Sequence, residues 1–148
     1  MVRAINVRLS KDEYFLKIAT VVSERGTCAR RQVGCVLVDS NDHIVATGFN
    51  GVAKGFVHCI DQPCEGANYP SGEGLDKCNA IHAESNAFLQ CRSDDHSLTM
   101  YTTTTPCIAC TRLICNSNVK RVVSISQYSQ NTLPLFALAK IKIEILST

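Results

Sequence analysis

SLTMYTTTTPCIACTRLICNSNVKRVVSIS, residues 97–126, reads as a strand, a turn, a helix and a second strand. Ser97 to Thr102 is rich in β-branched and aromatic residues, which favour a pleated surface. Pro106 has the fixed φ that suits the first turn of a helix, here running to about Asn116. Arg121 to Ser126 is again β-branched and apolar. Strand, helix and strand in succession predict a parallel crossover, the repeating unit of α/β folds.

Reading upstream, Val33-Gly34-Cys35-Val36-Leu37-Val38 and His43-Ile44-Val45-Ala46-Thr47-Gly48-Phe49 flank the turn chemistry of Asp39-Ser40-Asn41-Asp42. They read as a β-hairpin. Ser10-Lys11-Asp12-Glu13 is a capping box for a first helix to about Arg25, with Tyr14, Ile18, Val21 and Val22 on one face. A second helix should start near His82 and run to about Arg92. Downstream, Leu133 to Ala139 reads as a short helix and Ile141 to Leu146 as a last strand. The order αββαβαβαβ predicts a three-layer α/β/α fold with a five-stranded mixed sheet, in one domain over residues 1–148. Residues 50–79 form a long Gly-, Pro-, Asn- and Cys-rich connection, of a length expected to be functional or braced.

Fifteen basic residues against thirteen acidic ones leave a net charge of +2. The charges are scattered, so no basic stripe for nucleic acid is expected. One small anion needs only two or three basic groups. No run approaches the roughly 18 apolar residues that span a bilayer. Nine cysteines, an odd number at irregular spacings, and no apolar signal core over residues 1–10 point to a reducing cytoplasm. There cysteines serve metals or act as small hydrophobes.

Two short strings carry chemistry: His82-Ala83-Glu84 and Pro106-Cys107-Ile108-Ala109-Cys110. One imidazole and two thiolates make three zinc ligands, leaving the fourth tetrahedral position open, as catalytic sites do. Both strings fall at predicted helix N-termini, whose free N–H groups favour thiolates. Glu84, two residues from the histidine, is the candidate proton carrier and catalytic residue. With three ligands in place, the bound water would be acidified and would attack an amine-bearing carbon of an aromatic nitrogen ring. A structural zinc half-site or a redox pair are the competing readings of the Cys-x-x-Cys alone.

The pattern H-x-E followed by P-C-x-x-C is the signature of zinc nucleobase deaminases. Four stretches together make the chain resemble the cytidine and deoxycytidylate deaminase superfamily, and within it the deoxycytidylate (dCMP) deaminases. They are Thr27-Cys28-Ala29-Arg30 to Val38, Gly48-Phe49-Asn50-Gly51, His82-Ala83-Glu84-Ser85-Asn86-Ala87, and Met100-Tyr101 through Cys110. Gly48 to Gly51 and the following Gly55 to Cys59 point to dCMP rather than another base. The resemblance covers about residues 10–128.

That resemblance implies a cytidine deaminase-like fold and hydrolysis of dCMP to dUMP and ammonia, the supply of dUMP for thymidylate synthesis. It implies one catalytic Zn²⁺ on His82, Cys107 and Cys110. It also implies a homohexamer, activated by dCTP and inhibited by dTTP with Mg²⁺. Asn50, Thr27, Arg30, Ala83 and Tyr128 become candidate substrate contacts, and Asn50 and Gly51 candidate effector contacts, so Asn50 serves either site. A cytoplasmic setting, in a bacterium or a virus-infected host cell, would suit such an enzyme. The chain departs from the family in Asn79-Ala80, where many relatives carry Arg-Thr, and in residues 61–78.

For a phosphate, Arg30 is the leading candidate, since a bidentate arginine suits a phosphate monoester. Arg25, Arg31 and Lys54 read equally well as solvated charges. Tyr128 would close over sugar or base, or pack at the edge of the core. His58, Cys59, Cys64 and Cys78 are candidates for a second, structural zinc that pins the long connection, against plain thiols. Cys28, Cys35, Cys91 and Cys115 read as core, His43 and His96 as surface, and Asn86 as a brace for the ligand helix. Competing functions are deamination of cytidine, a tRNA adenosine or a pterin- or guanine-type ring, and a catalytically silent nucleotide sensor.

Overall fold

The computed structural model describes residues 6–128 and 130–147. The signal-peptide reading of residues 1–10 therefore lies partly outside the described residues. Five strands form one sheet in the order β2-β1-β3-β4-β5. They are β1 (Gly34–Val38), β2 (Ile44–Phe49), β3 (Leu98–Thr104), β4 (Val119–Ser126) and β5 (Lys142–Ile145). β1 runs antiparallel to both β2 and β3, and β3, β4 and β5 are parallel. The mixed sheet expected from a hairpin followed by crossovers is the one formed.

The hairpin turn works as its residues suggest. Asp39 Oδ1 accepts from the N–H groups of Asn41 and His43, and Asp42 takes the left-handed conformation at φ 65°. Turns of this kind are why Asp and Asn concentrate between strands.

Every position of β1 is buried, because helices cover both faces of the sheet. Helix α1 (Lys11–Ser23) covers one face: Phe15, Leu16 and Ala19 pack on Val36, Val38, Tyr101 and Val123. Helices α2 (Ala83–Gln90), α3 (Ile108–Cys115) and α4 (Leu133–Leu138) cover the other. There Ala83, Ala87, Ile114 and Phe136 meet Cys35, Leu37, Met100 and Val122. Strand residues alternate between the two cores, as the period of two requires.

The capping box forms as expected: Ser10 Oγ accepts from the Glu13 N–H, and Glu13 Oε2 accepts from the Ser10 N–H. The buried face of α1 agrees only in part with the one read off the sequence: Ile18 and Val22 pack against the core, and Tyr14 and Val21 do not. Tyr14 and Val21 stand at 50% and 64% exposure, while Phe15, Leu16 and Ala19 are buried. The stripe is turned by about one residue, roughly 100° around the helix. Asp12 explains the choice. Its carboxylate takes hydrogen bonds from both terminal nitrogens of Arg121 and from the Tyr101 hydroxyl, which pins that side of α1 to β3 and β4. A second difference concerns Pro106. It precedes the N-cap, Cys107, instead of entering the first turn of α3.

Two glycines allow the layers to close. A Cβ on Gly34 would press into the α1 backbone at Ala19 and Ser23, and one on Gly48 into the α2 backbone at Ala83 and Ala87. Each strand-to-helix contact there is backbone on backbone.

Candidate active site

α2 and α3 both begin at one end of the sheet, beside the end of β3. His82 is the N-cap of α2, Cys107 the N-cap of α3, and Cys110 lies one turn into α3. Their donor atoms converge: His82 Nδ1 stands 3.4 Å from Cys107 Sγ and 3.3 Å from Cys110 Sγ. All three donor atoms lie within 4.8 Å of one another. A tetrahedral zinc with bonds of about 2.0 Å to nitrogen and 2.3 Å to sulfur would hold N and S about 3.5 Å apart. The donor set fits a zinc ion in identity, in number and in spacing.

The same groups perturb one another electrostatically. Cys107 is pulled down to about 4 by the Cys110 S–H that faces it and by His82. Cys110 is pushed up, first by the Cys107 sulfur, then by burial and by Glu84. His82 is raised by its hydrogen bond to Cys107. A metal cation displaces the shared protons and leaves both sulfurs as thiolates.

Glu84, one turn residue inside α2, is 4% exposed. Burial raises its carboxyl above the ordinary 4.5. It borders Cys110 and shares a pocket with His82 and Cys107. A buried carboxyl with a raised pKa can alternate between acid and base near neutral pH. Asn86 braces this helix, donating to the carbonyl oxygen of Phe49 at 2.8 Å. That is the supporting role its spacing suggested.

The remaining candidates divide. Ala83, fully buried, lies on the pocket floor in the first turn of α2, where backbone N–H groups lack helical acceptors. Asn50 borders the pocket with its amide already engaged: Oδ1 accepts from the Val33 N–H at 2.8 Å, and Nδ2 donates to Arg31 O at 2.8 Å. It holds the approach to β1 in place. Thr27 Oγ1 is buried without a hydrogen-bond partner, and a Cβ on Gly51 would stand 2.7 Å from it. Gly51 pairs with Ile81 in an isolated antiparallel bridge, tying the end of β2 to the approach to His82.

The two adjacent arginines exchange emphasis. Arg30, singled out for phosphate, uses Nη1 to bind the carbonyls of Tyr69, Pro70 and Glu73, at 3.2, 2.9 and 2.7 Å. It straps the long connection against the pocket wall. Arg31, which the sequence leaves open between phosphate ligand and solvated charge, lies over the Tyr128 ring at 4.8 Å and donates to Thr104 Oγ1 at 2.9 Å. Both arginines and Tyr128 line the pocket. Cys28, read as core, also lines it. No sequence signal separates Arg30 from Arg31, because the choice depends on how residues 69–75 fold back over them.

The other proposed cysteine cluster does not assemble as four ligands. Cys59 and Cys64 meet, with sulfurs 3.6 Å apart. Among the described residues no third His, Cys, Asp or Glu donor joins them within 4.8 Å, because Cys78 faces the pocket and His58 is exposed.

The model of the cytidine and deoxycytidylate deaminase zinc-binding region matches residues 9–126. The chain belongs to this deaminase family. The deoxycytidylate deaminase of Mycobacterium phage D29 is 41% identical over 118 residues, 76% of this chain and 91% of that protein. The deoxycytidylate deaminase of Schizosaccharomyces pombe is 36% identical over 129 residues, 84% of this chain and 40% of that protein. That of Saccharomyces cerevisiae is 35% identical over 127 residues, with 39% of its length covered. The chain thus spans about two fifths of the length of the two yeast relatives and nearly all of the phage one. The solved dCMP deaminase of cyanophage S-TIM5, in complex with dCMP and dUMP, superposes with a TM-score of 0.78. It shares 24% identity and covers 95% of this chain and 100% of its own, which establishes a common fold. Among the described residues of the deaminase, no helix is long and apolar enough to cross a membrane.

Proposed function

We propose that the protein hydrolyses the exocyclic amine of dCMP, giving dUMP and ammonia. The observation that carries this is a buried carboxyl, Glu84, beside the His82/Cys107/Cys110 donor set, in a pocket lined by His82, Cys107 and two arginines. His82, Cys107 and Cys110 would hold Zn²⁺, whose part is to acidify the attacking water. Glu84 then carries protons. It takes one proton from the attacking water and delivers it to the ring nitrogen next to the amine-bearing carbon, then takes the second from the hydroxyl now on that carbon and delivers it to the amine, which leaves as ammonia. Its burial raises the carboxyl pKa, which favours the neutral form relative to an exposed carboxyl.

Arg31 is the phosphate ligand favoured here, since it is held at the pocket by the Tyr128 ring and by Thr104 Oγ1, while Nη1 of Arg30 ties down the carbonyls of Tyr69, Pro70 and Glu73. Tyr128 holds the Arg31 guanidinium from its ring face. The backbone of Ala83 is offered to substrate, and Thr27, whose buried hydroxyl lies beside Gly51 and outside the pocket lining, is assigned to the effector region. Asn50 acts chiefly by holding Arg31 and Val33 in place.

Regulation by dCTP and by dTTP with Mg²⁺, a hexameric assembly and a cytoplasmic setting are proposed on the resemblance of Gly48 to Gly51 to the family's effector motif. Asn50 and Gly51 would communicate with the active site through the Gly51–Ile81 bridge, which adjoins His82. A second zinc at Cys59 and Cys64 has no support from further ligands.

The test is product analysis by NMR on zinc-loaded protein and on Glu84→Gln. The amide keeps the shape and loses the proton-carrying function. Expected is dUMP from the wild type, and none above background from a Glu84→Gln protein that still binds one zinc. Equal turnover by both would end the proton-carrier assignment.

A further inference from the structure

We infer that Cys59 and Cys64 form a peroxide-sensitive dithiol, which closes to an intramolecular disulfide while the zinc-ligand cysteines stay reduced. The two sulfurs are 3.6 Å apart. A disulfide needs about 2.05 Å, so they must approach by about 1.5 Å, within the reach of side-chain rotation about χ1. They are five residues apart, and Cys64 N–H also bonds to Cys59 Sγ at 3.5 Å, which fixes the turn between them. No third ligand completes a metal site around them among the described residues.

The two thiols have different parts. Cys64 is half-buried and Cys59 is buried at 3% exposure. The Cys64 sulfur accepts from the backbone N–H groups of Asn79, Ala67 and Gly66 and from the Cys59 S–H, which lowers its pKa. Cys64, the more exposed of the two, is therefore the sulfur that meets oxidant, and Cys59 the resolving thiol beneath it. The Cys64 thiolate attacks the O–O bond of hydrogen peroxide. An S–O bond forms, the O–O bond breaks, and hydroxide leaves to be protonated. Cys59 sulfur then attacks the sulfenic sulfur of Cys64. The S–S bond forms, the S–O bond breaks, and the departing hydroxide takes the Cys59 proton as water. Two thiols and one peroxide give one disulfide and two waters. The sulfurs of Cys107 and Cys110, in contrast, are engaged by zinc in the loaded protein.

This inference does not depend on the substrate, so its test reads bond formation instead of turnover. Trypsin releases residues 55–77 as one peptide, with Cys59 and Cys64 inside it and Cys78 outside. Zinc-loaded full-length protein is treated with stoichiometric hydrogen peroxide, alkylated with iodoacetamide, digested and weighed. Expected is a 55–77 peptide that takes up no alkyl group and is two hydrogens lighter than the dithiol. After dithiothreitol it takes up two. Cys64→Ser should leave Cys59 reduced, with oxidation slowed about tenfold or more. Cys59→Ser should send Cys64 on to sulfinic acid for want of a resolving thiol. The inference is overturned if the wild-type peptide is alkylated twice after oxidation, or crosslinks to another peptide. It is equally overturned if the native protein binds two zinc ions per chain with both thiols protected.

Discussion

Gly48 is the position where the strand layer and the catalytic layer touch without a side chain between them. In Gly48→Ala the new Cβ would meet Ala83 O and stand 2.5 Å from Ala87 N, both backbone atoms of α2. Ordinary contact begins at 3.4 Å. No rotamer relieves a clash with backbone, so α2 must recede by about 1.2 Å to clear Ala83 O. Overpacking of this kind costs about 1–3 kcal/mol. In a chain of this size that lowers the melting temperature by about 3–9 °C. The displaced helix carries His82 at its N-cap and Glu84 in its first turn. A shift of about 1 Å in such groups costs on the order of a hundredfold in catalysis, and zinc affinity should fall by about 10- to 100-fold. Gly34→Ala is the control, because its Cβ would press on Ala19 O and Ser23 N of α1, which bears no candidate ligand. It should lower the melting temperature comparably and leave zinc affinity of the folded protein unchanged. Thermal denaturation and competition with a chromogenic chelator read both quantities. The reasoning fails if Gly48→Ala melts within about 1 °C of wild type, or if Gly34→Ala loses zinc as readily as Gly48→Ala.

Asp12→Asn should destabilise by about 2–3 kcal/mol, because Arg121 and the Tyr101 hydroxyl lose a charged acceptor. The Arg121 guanidinium holds Asp12 below its ordinary 3.8, so this stabilisation is present above that pH and is lost as pH falls through the lowered value. The gap between wild type and Asp12→Asn in urea denaturation should be full at pH 7 and shrink below about pH 4. Arg31→Ala should raise KM for dCMP about 10- to 100-fold with little effect on deoxycytidine, the signature of a lost charge-assisted contact to phosphate. Arg30→Lys should instead speed proteolysis and amide exchange around residues 69–73, since one ammonium cannot hold the three carbonyls in the same geometry. Cys107→Ser should leave the purified protein with less than one zinc per chain by metal analysis, a hydroxyl being a poor substitute for a thiolate.

The elements, their order along the chain and the mixed sheet were legible because the information is local. Capping at Ser10, turn chemistry at Asp39 and β-branched runs at 33–38 and 121–126 each fix an element, and strand–helix alternation fixes their directions. The donor triad was legible for the same reason. His82 and Cys107 cap helices, so sequence spacing alone aims them at the end of the sheet. What was not legible depends on long-range folding. The α1 face was legible at Ile18 and Val22 and missed at Tyr14 and Val21, because one tertiary ion pair, Asp12 with Arg121 from 109 residues away, turns a nearly even hydrophobic pattern. Arg30 and Arg31 are chemically identical neighbours, and their parts are set by carbonyls some forty residues downstream. The four-ligand grouping of His58, Cys59, Cys64 and Cys78 failed because spacing along a coiled connection says little about direction.

The account turns on dCMP itself. The decisive measurement is ammonia release by the zinc-loaded chain from dCMP, deoxycytidine and dCTP in separate reactions, each with and without added dCTP or dTTP plus Mg²⁺. The account predicts turnover of dCMP far above the other two, raised by dCTP and suppressed by dTTP. Zinc at one ion per chain with no ammonia from any of the three would contradict it.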